Sequence, residues 1–309
     1  MNRGVVMDKI KFAIFSDLHY EHIPDGRQRI ENFISKAIDA EVDFVIELGD
    51  FCNPKQENQV LLDMLDSIGK PHYHLMGNHD SDLFVKEDVM KFLKMDNSYY
   101  SFKYGNIKFI ALDTCFIKND NEYEPYCKKN YNSTKSIYPI LPDYEIKWLE
   151  KQLADDSKYY VIFSHQSFEN EFAKRGVYNR DEVRNLINSV NDSGKKVLLC
   201  INGHDHGDSL EKIGQTYYWG LNSMSYIWFG PQYEHFSYSD EIHKKYPFLK
   251  DMVLYKEGLF GIITITENGG IDIQGMNGHY QNISPKELGL NDKWNGRSIL
   301  PIISSLKVE

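Results

Sequence analysis

Residues Lys70 to Phe84 run Lys-Pro-His-Tyr-His-Leu-Met-Gly-Asn-His-Asp-Ser-Asp-Leu-Phe. The short apolar run over 71–76 reads as a strand, and Gly77-Asn78-His79-Asp80 as the loop that follows it. Three adjacent polar side chains at such a point suit three different tasks. Asn78 offers a neutral carbonyl oxygen to a cation, His79 can donate a proton, and Asp80 can fix the His79 ring. One turn of this kind is common by chance, so other parts of the chain must supply the remaining ligands.

They do so at the ends of other apolar runs. Residues 10–15 read as a buried strand ending at Ser16-Asp17-Leu18-His19, where alternation puts Asp17 and His19 on one side. A helix is predicted over 27–40, then a strand over 44–48 ending at Gly49-Asp50, where glycine lets the backbone turn so that Asp50 reaches inward. A second helix over 58–68 returns the chain to the opening strand. Strand and helix alternating, with polar clusters at strand ends, is the pattern of a parallel sheet with its site at the carboxyl ends.

Further on, a helix over 86–94 precedes a hairpin of 99–104 and 107–112 turned at Gly105-Asn106. Helices over 142–154 and 180–190 lead into strands 159–163 and 196–201. Those strands end at Ser164-His165 and at Asn202-Gly203-His204-Asp205-His206, where two imidazoles repeat the spacing of Asp17 and His19. Short strands are predicted at 209–213, 216–222, 252–255, 259–266 and 271–276. Two stretches lack periodicity: 115–141, with several tyrosines and Lys128, Lys129 and Lys135, and the aromatic 226–246. A loop as long as the first is a candidate lid. Tyr226, Trp228, Phe229 and Tyr233 in the second suit either base stacking or packing on the sheet. No repeat or linker interrupts the chain. A single domain, 1–309, is expected, with a motif core over about 10–225, an aromatic insertion and late strands over 226–276, and a polar tail over 277–309.

Composition narrows the partners. The 309 residues carry 45 acidic against 35 basic side chains, a net charge of −10, with no basic stripe for polymeric nucleic acid. No apolar run approaches the roughly 18 residues of a membrane span. Four cysteines at no CxxC spacing read as buried reduced thiols. The N-terminus has no signal-peptide layout, Met7 offers an alternative start, and a cytoplasmic location is the default expectation.

Together the strand ends supply seven candidate ligands: Asp17, His19, Asp50, Asn78, His165, His204 and His206. Imidazole mixed with carboxylate suits Mn, Fe, Zn or Co better than Ca or Mg. Seven ligands exceed one tetrahedral ion and suit two divalent or trivalent transition-metal ions sharing a carboxylate. Two such ions roughly 3.5–4 Å apart can hold a hydroxide between them and clamp an in-line displacement at phosphorus. His72 and His74 alternate on one strand face and read as core packing.

This ordered set of five motifs resembles the calcineurin-like metallophosphoesterase superfamily. The resemblance implies an α/β fold of four layers, with two facing mixed β-sheets sandwiched between helices. It also implies that Asp17, His19 and His206 bind one metal and Asn78, His165 and His204 the other, with Asp50 bridging. His79 would serve the leaving oxygen and Asp80 would hold its ring. Departures separate subfamilies: Gly49-Asp50-Phe51-Cys52-Asn53 lacks the Tyr of purple acid phosphatases and the Asp-Arg-Gly of protein phosphatases. The motifs are most similar to bacterial phosphodiesterases, including class III cyclic-nucleotide phosphodiesterases and manganese-dependent ADP-ribose/CDP-alcohol diphosphatases. The expectation is a hydrolase for a small phosphodiester or pyrophosphate. Its rivals are a phosphomonoesterase with the same site and a silent metal-stabilised scaffold.

Overall fold

The computed structural model describes residues 9–132, 137–169, 175–294 and 296–309. Met7 and Lys135 lie outside them. The opening half follows the alternation of its apolar runs. Strands β1 (Lys9–Phe15), β2 (Phe44–Glu47) and β3 (His72–His74) are parallel, joined by helices α1 (Gly26–Asp39) and α2 (Gln59–Asp66). After α3 (Lys86–Phe92) comes the antiparallel hairpin β4 (Tyr100–Tyr104) and β5 (Ile107–Ala111). Residues 115–141 then depart from expectation. They open with a second hairpin, β6 (Phe116–Asn119) and β7 (Glu122–Pro125), in which Lys118 faces Tyr123.

The chain continues through α4 (Asp143–Leu153), β8 (Tyr159–Ser164), α5 (Arg180–Asp192), β9 (Lys196–Asn202), β10 (Ser209–Ile213) and β11 (Thr216–Gly220). Strands β12 (Tyr226–Trp228) and β13 (Met252–Leu254) form a small ribbon, and β14 (Gly261–Thr266) and β15 (Ile271–Gln274) close the core. One six-stranded sheet is ordered Leu306–Val308, β15, β14, β1, β2, β3, and the other β10, β11, β9, β8, β5, β4. Both are mixed. The polar tail was not expected to supply a strand to the first sheet, yet Leu306–Val308 pairs with β15.

Period-two burial explains why the layers stack. Along β1, Phe12 and Ile14 face the second sheet, while Ala13 and Phe15 face the helix layer. Phe12 stacks on Phe44 at 4.7 Å and meets Phe109 and Phe163 of the other sheet edge-on. Outside the second sheet, Tyr160 and Ile162 pack on Leu149 of α4 and Val183 and Ile187 of α5. The result is four layers, helix–sheet–sheet–helix, and the carboxyl ends of β1, β2, β3, β8 and β9 meet on one edge.

Candidate metal centre

Three of the five strand-end motifs, those after β1, β2 and β9, turn left-handed. Asp17, His19, Asp50, His204 and His206 all have positive φ, between 49° and 70°. Left-handed backbone costs a non-glycine residue roughly 1 kcal/mol or more, and such residues cluster where function demands the geometry. Strand alternation therefore does not bring Asp17 and His19 together, as had been expected; two left-handed turns do. Gly77 and Gly203 make the crossing possible. A Cβ on Gly77 would overlap the Asp50 amide and carboxylate, and one on Gly203 would overlap Ser16.

Among the described residues, two groups bring ligand atoms within 4.8 Å of one another: Asp17, His19 and His206, and Asp50, His165 and His204. In the first, His206 Nδ1 donates to the Tyr226 carbonyl at 2.8 Å, which leaves the Nε2 lone pair 3.3 Å from Asp17 Oδ1 and 3.1 Å from His19 Nε2. In the second, His165 Nδ1 donates to the Leu48 carbonyl at 2.8 Å. Its Nε2 lies 3.2 Å from Asp50 Oδ2 and 3.1 Å from Asn78 Oδ1. All seven predicted ligands thus meet at one place. Fixing one ring nitrogen so that the other points inward is how proteins orient metal-binding histidines.

The electrostatics fit a cation. Asp17 Oδ1 is buried without a hydrogen-bond donor. Burial alone would favour protonated carboxyls, yet the imidazoles around Asp17 and Asp50 hold both well below the usual carboxylate range. Burial also disfavours charge on His165, but Asp50 and Asp17 outweigh it and raise its pKa to about 9. Positive charge is wanted there, and a metal ion would supply it. His19 is pushed down to about 4 by burial and is neutral at physiological pH, the form that ligates.

One assigned role changes. Asp80 does not hold the His79 ring; His79 Nδ1 pairs with Asp82 Oδ2 at 2.8 Å. The short helical turn His79–Ser81 puts residues three apart on one side, so Asp82 faces the ring while Asp80 points into the protein. There Asp80 accepts the amides of Gly77, Asp50 and Phe51 at 2.8–3.0 Å and bolts two ligand loops together. Partial burial opposes charge on His79, but the Asp50 and Asp82 carboxylates outweigh it and raise its pKa.

Residues outside the predicted ligand set complete the site. Tyr131 donates to Asp82, and Lys129 lies 3.3 Å from the same carboxylate. Arg175 contacts the His204 carbonyl at 2.5 Å and Asp205 at 3.7 Å. A cleft of about 530 Å³ opens over both groups, walled by Lys129, Tyr131, Arg175, Trp228, Phe248 and Trp294. The available signal was weak: an Asp three residues after His79, a lysine in an aperiodic stretch, and an arginine between a strand and a helix. Three cysteines are buried as expected, whereas Cys127 is half-buried.

A family model described as calcineurin-like phosphoesterase matches residues 10–208. Manganese-dependent ADP-ribose/CDP-alcohol diphosphatases are similar in sequence. The Arabidopsis thaliana protein is 24% identical over 251 residues, covering 63% of this chain and 79% of its own. That of Oryza sativa subsp. japonica is 24% identical over 260 residues, covering 66% and 80%. A dimetal phosphatase from Danio rerio shares the fold with a TM-score of 0.60 at 16% identity, over 89% of this chain and 99% of that one. The Plasmodium protein GAP50, an anchor in the inner membrane complex, does so at 0.57 and 15%, over 98% and 89%. No described helix is long and apolar enough to cross a membrane. With its motif core matched over most of the chain, the protein belongs to the calcineurin-like phosphoesterase family, and the match together with the ligand groups supports metal-dependent phosphoester hydrolysis.

Proposed function

We propose that this metal-dependent phosphoesterase is a dinuclear hydrolase of small phosphodiesters or pyrophosphates, with nucleoside diphosphate-linked compounds such as ADP-ribose and CDP-alcohols as the leading substrates. The observation that carries the reading is the convergence of two ligand groups beneath one cleft that also holds His79. Asp17, His19 and His206 would hold one ion and Asn78, His165 and His204 the other, with Asp50 between them. Bound there, such ions acidify water and withdraw charge from phosphoryl oxygens.

The protein's own residues do the rest. Asp82 takes His79 Nδ1–H, which leaves Nε2 to hand a proton to the departing oxygen. His79 is 41% exposed on its side chain, so a substrate can reach it. Lys129, beside Asp82, and Arg175, beside His204 and Asp205, both bring positive charge to the cleft, which favours a substrate with more than one phosphate. The cleft volume lies within the roughly 300–1,000 Å³ typical of small-molecule sites.

The test is a rate comparison in manganese of ADP-ribose, CDP-choline, a cyclic nucleotide, bis-p-nitrophenyl phosphate and p-nitrophenyl phosphate. Faster cleavage of the diphosphates or the diester supports the reading. Preference for the monoester would make the protein a phosphomonoesterase, and inertness towards all of them would leave the scaffold reading.

A further inference from the structure

Below the metal centre, four side chains form a line from the core to the surface. Glu47 is fully buried at the end of β2, and its Oε1 accepts the Gly49 amide at 2.5 Å. Its other oxygen lies 3.2 Å from His74 Nδ1. His74 Nε2 is 3.0 Å from His72 Nδ1, and His72 Nε2 is 2.9 Å from Asp66 Oδ1. Asp66 is half exposed and also pairs with Lys94. Parallel pairing of β2 and β3 puts Glu47 opposite His74. The two histidines on one strand face, read from sequence as core packing, are therefore connected.

We propose that Glu47 is a positioning residue for the Gly49–Asp50 turn, and that His74 and His72 form a proton relay which sets its charge from the surface. Each of the three gaps needs one proton, and three protons fill them in two ways. In one, Glu47 is a neutral acid donating to His74 Nδ1, His74 Nε2–H donates to His72 Nδ1, and His72 Nε2–H donates to Asp66. In the other, the Glu47 proton has moved to His74 Nδ1 as the His74 Nε2 proton passed to His72 Nδ1. Glu47 is then a carboxylate and His72 an imidazolium paired with Asp66. Only O–H and N–H bonds are made and broken, and net charge is conserved. Withdrawing a proton at the exposed Asp66 end leaves the second arrangement of Glu47 and His74 in place, so rising pH ionises the buried carboxyl.

The surroundings suit both states. Burial, then Asp80, Asp17 and Asp50, raises the Glu47 pKa well above the usual range, so the neutral acid is accessible. Burial pushes His74 down to about 3, so it passes protons without keeping a second one. The other polar groups nearby are the Cys52 thiol, the Tyr100 hydroxyl, which donates to the His74 carbonyl at 2.8 Å, and Lys94. Gly49 links the relay to the site. Its amide is held by Glu47, its carbonyl accepts the Asp17 amide at 3.1 Å, and Asp50 follows it.

The decisive reading is the tautomer of His74, taken from ¹⁵N imidazole shifts of the zinc-loaded full chain across mildly acidic to mildly alkaline pH. The wild type is expected to change from Nε2–H to Nδ1–H as pH rises, and His72→Phe to stay in one tautomer. A wild-type His74 that never changes, or a change that survives His72→Phe, overturns the relay. Glu47→Gln keeps the acceptor for Gly49 and fixes the neutral state. Its manganese affinity, read by chelator competition, should match wild type at low pH and fall severalfold, on the order of the effect of one nearby screened charge, at high pH. Affinity equal to wild type throughout overturns the link to the metal centre. If that variant does not fold, His72→Phe, next to the half-exposed Asp66, carries the test. Although the link to the centre rests on the two-ion reading, the tautomer does not require turnover, so it fails or holds independently of the proposed activity.

Discussion

His79 and the two acids beside it separate catalysis from architecture within four residues. Removing the imidazole in His79→Ala is expected to lower kcat by roughly 100-fold while bound metal, read by elemental analysis, stays constant. Asp82→Asn should lose about tenfold, as supporting partners of active-site histidines do, with little change in melting temperature. Asp80→Ala should behave in the opposite sense. It strands three buried amides, so a loss of about 3 kcal/mol or more in a denaturant melt is expected. Equal stability of the two Asp variants would contradict the reassignment. Residue identity was legible because all seven candidate ligands sit in short polar clusters after apolar runs. The roles of Asp80 and Asp82 were not, because they depend on a tight helical turn that adjacent polar residues do not reveal.

At the scale of the element, the centre is made by strand ends that turn left-handed against one another. Gly203→Ala is the sharpest probe, because its Cβ would overlap the Ser16 hydroxyl and meet the Asp17 carboxylate at 2.6 Å. We expect at least about 2 kcal/mol of destabilisation and weaker metal binding, read as a smaller metal-induced rise in melting temperature. Wild-type behaviour would mean that these loops are not tightly crossed. The strands and helices could be read in advance because period-two and helical burial patterns are local. The left-handed conformations of Asp17 and His19 could not, since even Asp and His, which adopt them more often than most residues, do so in only a small minority of positions. The hairpin of β6 and β7 and the edge strand Leu306–Val308 were missed for a similar reason: their residues are largely polar or half-buried, so alternation leaves little trace.

Across the whole molecule, two sheets share one aromatic core, and that core fixes where the strand ends lie. Phe12 contacts rings of both sheets, and Phe12→Ala should cost about 3–5 kcal/mol, visible as a lower melting temperature. Metal removal acts on the same scale. Four imidazoles, three of them buried, and two buried carboxylates are left facing one another, so chelation should abolish turnover and lower the melting temperature, and manganese should restore both. The layer order followed from the alternating elements and the family resemblance together. The cleft did not, because Lys129, Arg175, Phe248 and Trp294 reach it from segments far apart in sequence. Metal stoichiometry tests the centre most directly. Elemental analysis of the full chain equilibrated with manganese should give close to two ions per chain, falling in Asp50→Asn; a single ion, or two that survive the loss of Asp50, would contradict the shared-carboxylate centre.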